Sequence, residues 1–186
     1  GHGKFGFFSS ESGIFNKIAD EMGIIRKSAD GHPLEYARHP LVYLVEAADD
    51  ICYEIMDIED AHKLKIVSFE ETEHLFLDFF DEKAQNHIRR RIIDEGITDD
   101  NEKVVYMRAC VIGALERACA NAFVCHEQEI LEGSLKGGLI DNMDERLAKA
   151  YKRCADLSKR KIYKSKPVLD VELSGFRIMA TLMEAM

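Results

Sequence analysis

Carboxylates and one phenol recur along a single predicted helix at a spacing that could bring them into one site. Residues 41–60 contain seven acidic side chains and no basic one. Asp49, Tyr53 and Asp57 are four residues apart, so on a helix their side chains fall within about 80° of one another. Glu46 lies one turn earlier on nearly the same side. Such a stripe could bind a divalent cation through carboxylate oxygens, or a sugar hydroxyl through a phenol and a carboxylate.

The same helix carries apolar side chains that need burial, namely Leu44, Ala48, Ile51, Cys52, Ile55 and Ile58. Asp49 and Asp50 are therefore expected close to a surface that faces the core, where a carboxylate rarely lies without a partner. A bound cation would be such a partner. Spacing alone leaves the alternative open, because a solvated acidic face with Tyr53 packed by its ring has the same pattern.

The remaining sequence predicts further helices that could position this stripe. Apolar spacing, capping residues and breakers place them at about 14–22, 40–64, 69–80, 82–94, 99–131, 143–163 and from 170 onward. Strand signals are weak, and the best candidate is the short stretch from Lys4 to Phe8. The predicted fold is all-α.

Composition describes an ordinary globular domain of 186 residues with a net charge of -9, which argues against nonspecific DNA binding by the whole surface. No apolar run approaches the roughly 20 residues of a membrane span, and no signal peptide is evident. The five cysteines are odd in number and show no C-x-x-C spacing. We expect free thiols, mostly buried, in a reducing cytoplasm.

A basic block covers residues 146–166, which hold nine lysines or arginines and one acid. Tyr151 and Tyr163 are interleaved with these charges. Basic side chains with aromatic platforms suit single-stranded nucleic acid or an effector nucleotide. An exposed lysine-rich helix is the simpler interpretation.

Three segments resemble bacterial deoxyguanosine triphosphate triphosphohydrolases, which belong to the HD superfamily. Arg38 to Tyr53, continued by Asp57-Ile-Glu-Asp-Ala61, is similar to the signature helix of that family. Lys4 to Glu11 and Leu173 to Arg177 are similar to two further family segments. The resemblance implies that residues 1–186 form one helical unit, the C-terminal portion of a larger enzyme, incomplete without its N-terminal part.

The resemblance also implies an activity and residue roles. The expected reaction converts a deoxynucleoside triphosphate, dGTP above all, into deoxynucleoside and triphosphate. Asp49 matches a ligand of a divalent metal, which is Mg²⁺, Mn²⁺ or another transition metal. Tyr53 and Asp57 match positions that contact the deoxyribose and its 3′-hydroxyl, and Lys4 matches a lysine that reaches the triphosphate. A cytoplasmic homo-oligomer is expected, with single-stranded DNA or a nucleotide as effector and no membrane association.

One departure from the family pattern concerns the metal. HD enzymes use a His, a consecutive His-Asp pair and a later Asp as ligands, but none of the seven histidines in this sequence is followed by Asp. Three of four ligands are therefore expected N-terminal to this chain, and the chain alone is expected to be inactive.

Two alternatives of other classes remain. The chain could be a non-catalytic structural or oligomerisation module. It could also be a di-iron carboxylate bundle, because Glu59-x-x-His62 and Glu71-x-x-His74 repeat the ligand motif of such proteins. Against the latter, both motifs lie close together in sequence, around one turn. Cys125-His126-Glu127 lacks a third partner for nucleophilic catalysis nearby in sequence.

Overall fold

The protein is predominantly helical in the residues that its computed structural model describes, which are 6–29 and 31–186 without the side chain of Pro167. In chain order the α-helices of these residues are α1 (Ser12–Met22), α2 (Pro40–Lys63), α3 (Phe69–Leu77), α4 (Glu82–Asp94), α5 (Asp100–Cys125), α6 (Glu127–Leu131), α7 (Glu145–Leu157) and α8 (Lys166–Ala185). The predicted all-α class is confirmed.

Extended structure is limited in this described part to an isolated bridge between Arg26 and Tyr36. The predicted strand from Lys4 to Phe8 is wrong where it can be judged, since residues 6–8 form no strand. Lys4 itself lies outside the described residues.

Local signals in the sequence explain where the main helices begin and end. Gly23 ends α1 in the left-handed region at φ 66°, which glycine adopts without steric cost. Pro40 opens α2 in the first turn, where its missing N–H costs nothing. The side chain of Ser68 caps α3 by accepting a hydrogen bond from the backbone N–H of Glu71.

Three predicted boundaries need correction. The helix expected from 99 to 131 is interrupted at His126, which has φ -106° and ψ 20°, so α5 and α6 are separate. The helix expected to reach 163 ends as α7 at Leu157 and continues as a π-helical turn, Ser158–Ile162. The last helix begins at Lys166 rather than 170, because a proline fits the first turn of a helix instead of stopping it.

A continuous apolar core lies between α2, α3, α5 and α7. From α2 it takes Ile51, Ile55 and Ile58, and from α3 it takes the fully buried Phe76. The long α5 packs along α2 and fixes that helix in place. The helix that carries the predicted site is thus one of the two central elements of the fold.

Substitution of the N-cap residue of α5 tests whether a capping side chain stabilises the start of the helix. Asp99 Oδ1 accepts a hydrogen bond of 3.1 Å from the backbone N–H of Glu102. We expect Asp99→Ala to lower the free energy of unfolding by about 1 kcal/mol and Tm by roughly 2–4 °C. Asp99→Asn retains a capping oxygen and should cost only a few tenths of that. Equal losses in both variants would contradict a capping role.

Two helices contribute little to the core. In α1 Ala19 is buried, whereas Ile14, Ile18 and Met22 are exposed. In α8 Val168 packs against the core, and every residue from Leu169 to Met186 is exposed. None of the described helices combines the length and the apolar character needed to cross a bilayer.

Candidate functional site

Asp49, Tyr53 and Asp57 all lie in α2 and share one side of it. Asp49 and Tyr53 are exposed, and Asp57 is half-buried. The buried face of α2, centred on Ile51 and Ile58, lies roughly 150° around the helix from Tyr53, the middle residue of this side. The predicted grouping on one helix face therefore agrees with the structure. We call this outward side, defined by Asp49, Tyr53 and Asp57, the acidic face.

The expectation that Asp49 and Asp50 lie close to a core-facing surface is wrong. Both carboxylates are exposed, as are Leu44, Ala48 and Cys52 of the apolar set. Apolar residues of α2 occupy more than one side of the helix, and only the side that meets α5 is buried. The burial cost that would have demanded a cation at Asp49 is absent in the described residues.

Two tyrosines of the basic block donate hydrogen bonds to residues of α2. Tyr163 Oη donates a hydrogen bond of 2.7 Å to Asp57 Oδ2, and Tyr151 Oη donates one of 3.0 Å to the main-chain oxygen of Asp50. Burial raises the pKa of both phenols, and nearby carboxylates add to the effect, so both remain protonated donors at neutral pH. Through their hydroxyl groups these tyrosines connect the basic block to α2.

A third bond joins the same two regions inside the protein. Ser158 Oγ donates a hydrogen bond of 2.6 Å to Glu54 Oε1, and both side chains are buried. Burial raises the pKa of Glu54, although the Ser158 bond opposes the shift. Sequence reasoning missed Glu54 and Ser158, because they are 104 residues apart in the chain.

The raised pKa of Glu54 predicts a pH dependence of stability. Folding disfavours the ionised carboxylate, so the stability contributed by Glu54 is fully present below its ordinary pKa of 4.5 and is lost as pH rises through the higher folded value. Relative to wild type, Glu54→Gln should therefore gain stability between pH 4 and pH 7 in urea titrations. The exposed Glu127→Gln is the control. A wild-type advantage that grows toward pH 7 would contradict the assignment.

Two other cationic side chains of the basic block form ion pairs with an acid of α3 and with the acidic residue that follows α3. Lys161 Nζ lies 2.7 and 2.9 Å from the two carboxylate oxygens of Glu71, and Arg153 Nε lies 2.9 Å from Asp78 Oδ2. A cavity of about 270 Å³ between α3 and α7 has a mixed lining, which is Glu71, His74, Leu75, Arg153, Asp156, Leu157 and Arg160. The block is thus partly neutralised within the molecule.

A second cavity of about 480 Å³ runs along α4 and is lined by Glu82, Lys83, Asn86, His87 and Arg90. Neither of these two cavities is lined by Asp49, Tyr53 or Asp57, so neither borders the acidic face.

The carboxylates of the di-iron alternative are already paired with cations. Glu59 is bound by Lys63 and Arg108, and Glu71 by Lys161. The ring of His62 lies edge-on against Phe69, with the centroids 6.2 Å apart. Among the described residues no three His, Cys, Asp or Glu side chains come together as metal ligands. The structure therefore gives the di-iron alternative no support.

The five cysteines are free, as predicted. Their expected burial holds for Cys119 and Cys154, in which desolvation raises the pKa of the thiol to about 11 and about 12. Cys110 is half-buried, whereas Cys52 and Cys125 are exposed. Next to Cys125, His126 Nδ1 lies 3.1 Å from Glu129 Oε1, which is an ordinary contact at a helix start.

Comparison of the sequence with known proteins finds several relatives of similar description. No family model matches the chain. A deoxyguanosinetriphosphate triphosphohydrolase-like protein of Pseudomonas aeruginosa is 31% identical over 183 residues, which cover 98% of this chain and 40% of the relative. A protein of the same description from Synechocystis sp. is 27% identical, over 97% of this chain and 38% of the relative.

The deoxyguanosinetriphosphate triphosphohydrolase of Cronobacter sakazakii is 26% identical over 97% of this chain and 36% of its own length. The chain thus spans about two fifths of the length of the curated relatives it matches. Over nearly its whole length, the chain is therefore similar to part of proteins described as deoxyguanosinetriphosphate triphosphohydrolases or as resembling them.

Proposed function

We propose that the complete protein containing this chain hydrolyses a deoxynucleoside triphosphate, dGTP above all, to deoxynucleoside and triphosphate. The observation that supports this proposal most directly is that Asp49, Tyr53 and Asp57 share the acidic face of α2, on which Asp49 and Tyr53 are exposed. The names of the relatives point to the same substrate class. In this proposal α2 is the helix that binds the sugar end of the nucleotide.

The proposed roles follow from the chemistry of the side chains. A phenol and a carboxylate can both accept a hydrogen bond from the 3′-hydroxyl of deoxyribose, which suits Tyr53 and Asp57. Tyr163 occupies Asp57 Oδ2, which leaves Oδ1 for the substrate. Lys4, which lies outside the described residues, is proposed to neutralise the triphosphate as a compact point charge.

A divalent metal does not fit the described residues of this chain alone. Those residues bring no three candidate ligands together, and Asp49 is an exposed carboxylate on the outer side of α2. We propose that Asp49 supplies one ligand, and that the others come from a part of the complete protein outside this chain. Mg²⁺ and Mn²⁺ are the proposed ions, because both prefer oxygen ligands.

Exposed apolar side chains beside the acidic face support this proposal. Leu41 is 59% exposed, Val45 68% and Met56 47%, and all three lie on α2. An ordinary solvated helix face would carry polar side chains there. We propose that another part of the complete protein covers this surface and closes the site.

The proposal is tested by identifying products. The complete gene product and the 186-residue chain are each incubated with the four dNTPs and Mg²⁺ or Mn²⁺. The complete protein should release intact triphosphate and deoxynucleoside, and the chain alone should not. Release of pyrophosphate or orthophosphate instead would overturn the reaction type. Turnover by the isolated chain would show that ligands are present that we have not assigned.

The non-catalytic alternative draws on α8, a helix apolar on several sides and exposed from Leu169 onward. A helix of this kind is ordinarily buried against other helices. An oligomeric complete protein without dNTP hydrolysis would favour an assembly module. Hydrolysis by an oligomer would make α8 a subunit contact of the proposed enzyme.

A further inference from the structure

The π-helical turn Ser158–Ile162 changes the direction in which Tyr163 leaves the end of α7. The backbone N–H of Tyr163 donates to the carbonyl of Ser158 at 3.0 Å, a bond that spans five residues. In a regular α-helix residue 163 would lie about 140° around the axis from residue 158. The wider π-helical turn reduces this angle, so the two residues lie nearer the same side of the helix axis. Such turns are frequently found at functional sites.

Ser158 and Tyr163 contact two acids that are close together on α2. Glu54 and Asp57 are three residues apart, so they are neighbours on one helix surface. Ser158 reaches Glu54 at 2.6 Å, and Tyr163 reaches Asp57 at 2.7 Å. The first bond is buried, and Ile162, next to Tyr163, is 5% exposed within the core. Tyr163 therefore follows directly on a segment whose position is fixed by burial.

We propose that Tyr163 is a positioning residue that holds the Asp57 carboxylate for recognition of the 3′-hydroxyl of a deoxynucleoside triphosphate. This inference rests on the proposed function, since it concerns the same site. An exposed aspartate can rotate about its side-chain bonds, whereas a carboxylate with one oxygen bound is restricted. With Oδ2 bound to the phenol, Oδ1 is left to accept the hydroxyl proton of the sugar.

Tyr163 differs in this from Tyr151, although both donate to α2 and both come from the basic block. Tyr151 binds the main-chain oxygen of Asp50 and does not contact Asp57. Tyr151→Phe is consequently a matched control, because it removes the same hydroxyl type from the same interface. Loss of anchoring would appear in both variants, whereas loss of 3′-hydroxyl recognition should appear in Tyr163→Phe alone.

The experiment compares dGTP with 2′,3′-dideoxyGTP, which lacks the 3′-hydroxyl, on the complete gene product. Both kcat/KM and metal-free binding by calorimetry are measured. Tyr163→Phe should lower kcat/KM and affinity for dGTP by roughly tenfold, as expected for a lost hydrogen bond to a charged group. Values for the dideoxy nucleotide should change little. Asp57→Asn should remove the same discrimination, and the double variant should lose no more than Asp57→Asn alone.

The outcomes separate this inference from the proposed function. If wild type discriminates between the two nucleotides and Tyr163→Phe keeps that discrimination, the positioning role is overturned while the enzyme assignment stands. The wild-type protein could instead bind dGTP more tightly than the dideoxy nucleotide, lose this preference in Tyr163→Phe, and yet release no triphosphate. In that case the positioning role stands and the proposed reaction is overturned. The positioning role would be overturned if Tyr151→Phe lowered kcat/KM and affinity for dGTP as much as Tyr163→Phe does. It would also be overturned if the wild-type protein bound dGTP and the dideoxy nucleotide equally well.

Discussion

Asp49→Ala in the complete gene product is expected to lower kcat/KM for dGTP by about 10³-fold or more. A metal ion contributes several kcal/mol of charge stabilisation, and each 1.36 kcal/mol corresponds to tenfold in rate. The exposed position of Asp49 on α2 means that the side chain can be removed without opening a cavity in the core. Thermal unfolding should accordingly change little. The measurement is a steady-state assay of triphosphate release with metal held in excess.

Asp50→Ala is the control for that result, because the two acids are neighbours in sequence and both are exposed. In α2 they point about 100° apart, and only Asp49 lies on the acidic face. We expect Asp50→Ala to retain activity within a few-fold. If Asp50→Ala is the inactive variant and Asp49→Ala is active, the assignment of the ligand moves to Asp50. Full activity in both variants would remove α2 from the metal site.

The largest expected effect on stability comes from Arg108. Its Nη1 lies 2.5 Å from Glu59 Oε2, and the Glu59 side chain is only 4% exposed. Among the described residues, Arg108→Met leaves Lys63 as the cation paired with this buried carboxylate. Breaking a buried pair from one side is costly, so we expect a loss of about 3 kcal/mol in the free energy of unfolding. Tm should fall by roughly 6–12 °C.

Two further variants identify the cause of that loss. Arg89→Met removes the exposed pair with Glu73 and should cost under about 1 kcal/mol. Glu59→Gln combined with Arg108→Met removes the buried negative charge that has lost its arginine partner, and should recover much of the stability lost in the single variant. A double variant that is less stable than Arg108→Met would show that packing of the long arginine side chain, rather than charge, dominates.

The fold was largely predictable from sequence because its boundaries are set locally. Pro40, Ser68 and Asp99 act within one turn of their own position, and short-range rules describe them well. The predicted helix boundaries are wrong where packing against neighbouring elements determines the backbone conformation. The break at His126 and the π turn after Leu157 depend on how α6 and α7 pack, which no local pattern reports.

The candidate site was predictable only in part. Periodicity indicates which residues share a face, so Asp49, Tyr53 and Asp57 could be grouped in advance. It does not indicate which face is buried when apolar residues surround most of a helix, and Asp49 was therefore placed wrongly near the core. The partners Tyr163 and Tyr151 lie 106 and 101 residues from the positions they contact, beyond the reach of any spacing argument.

Cys52 gives the acidic face a chemical reporter of its own. The thiol is exposed and stands one residue before Tyr53, whereas Cys119 and Cys154 are buried with pKa values raised to about 11 and about 12. Alkylation proceeds through the thiolate, so the buried pair reacts slowly and the exposed pair dominates. Cys125, exposed at the far end of α5, serves as the internal standard. The ratio of labelling rates at these two cysteines measures how far another polypeptide segment or a nucleotide shields α2.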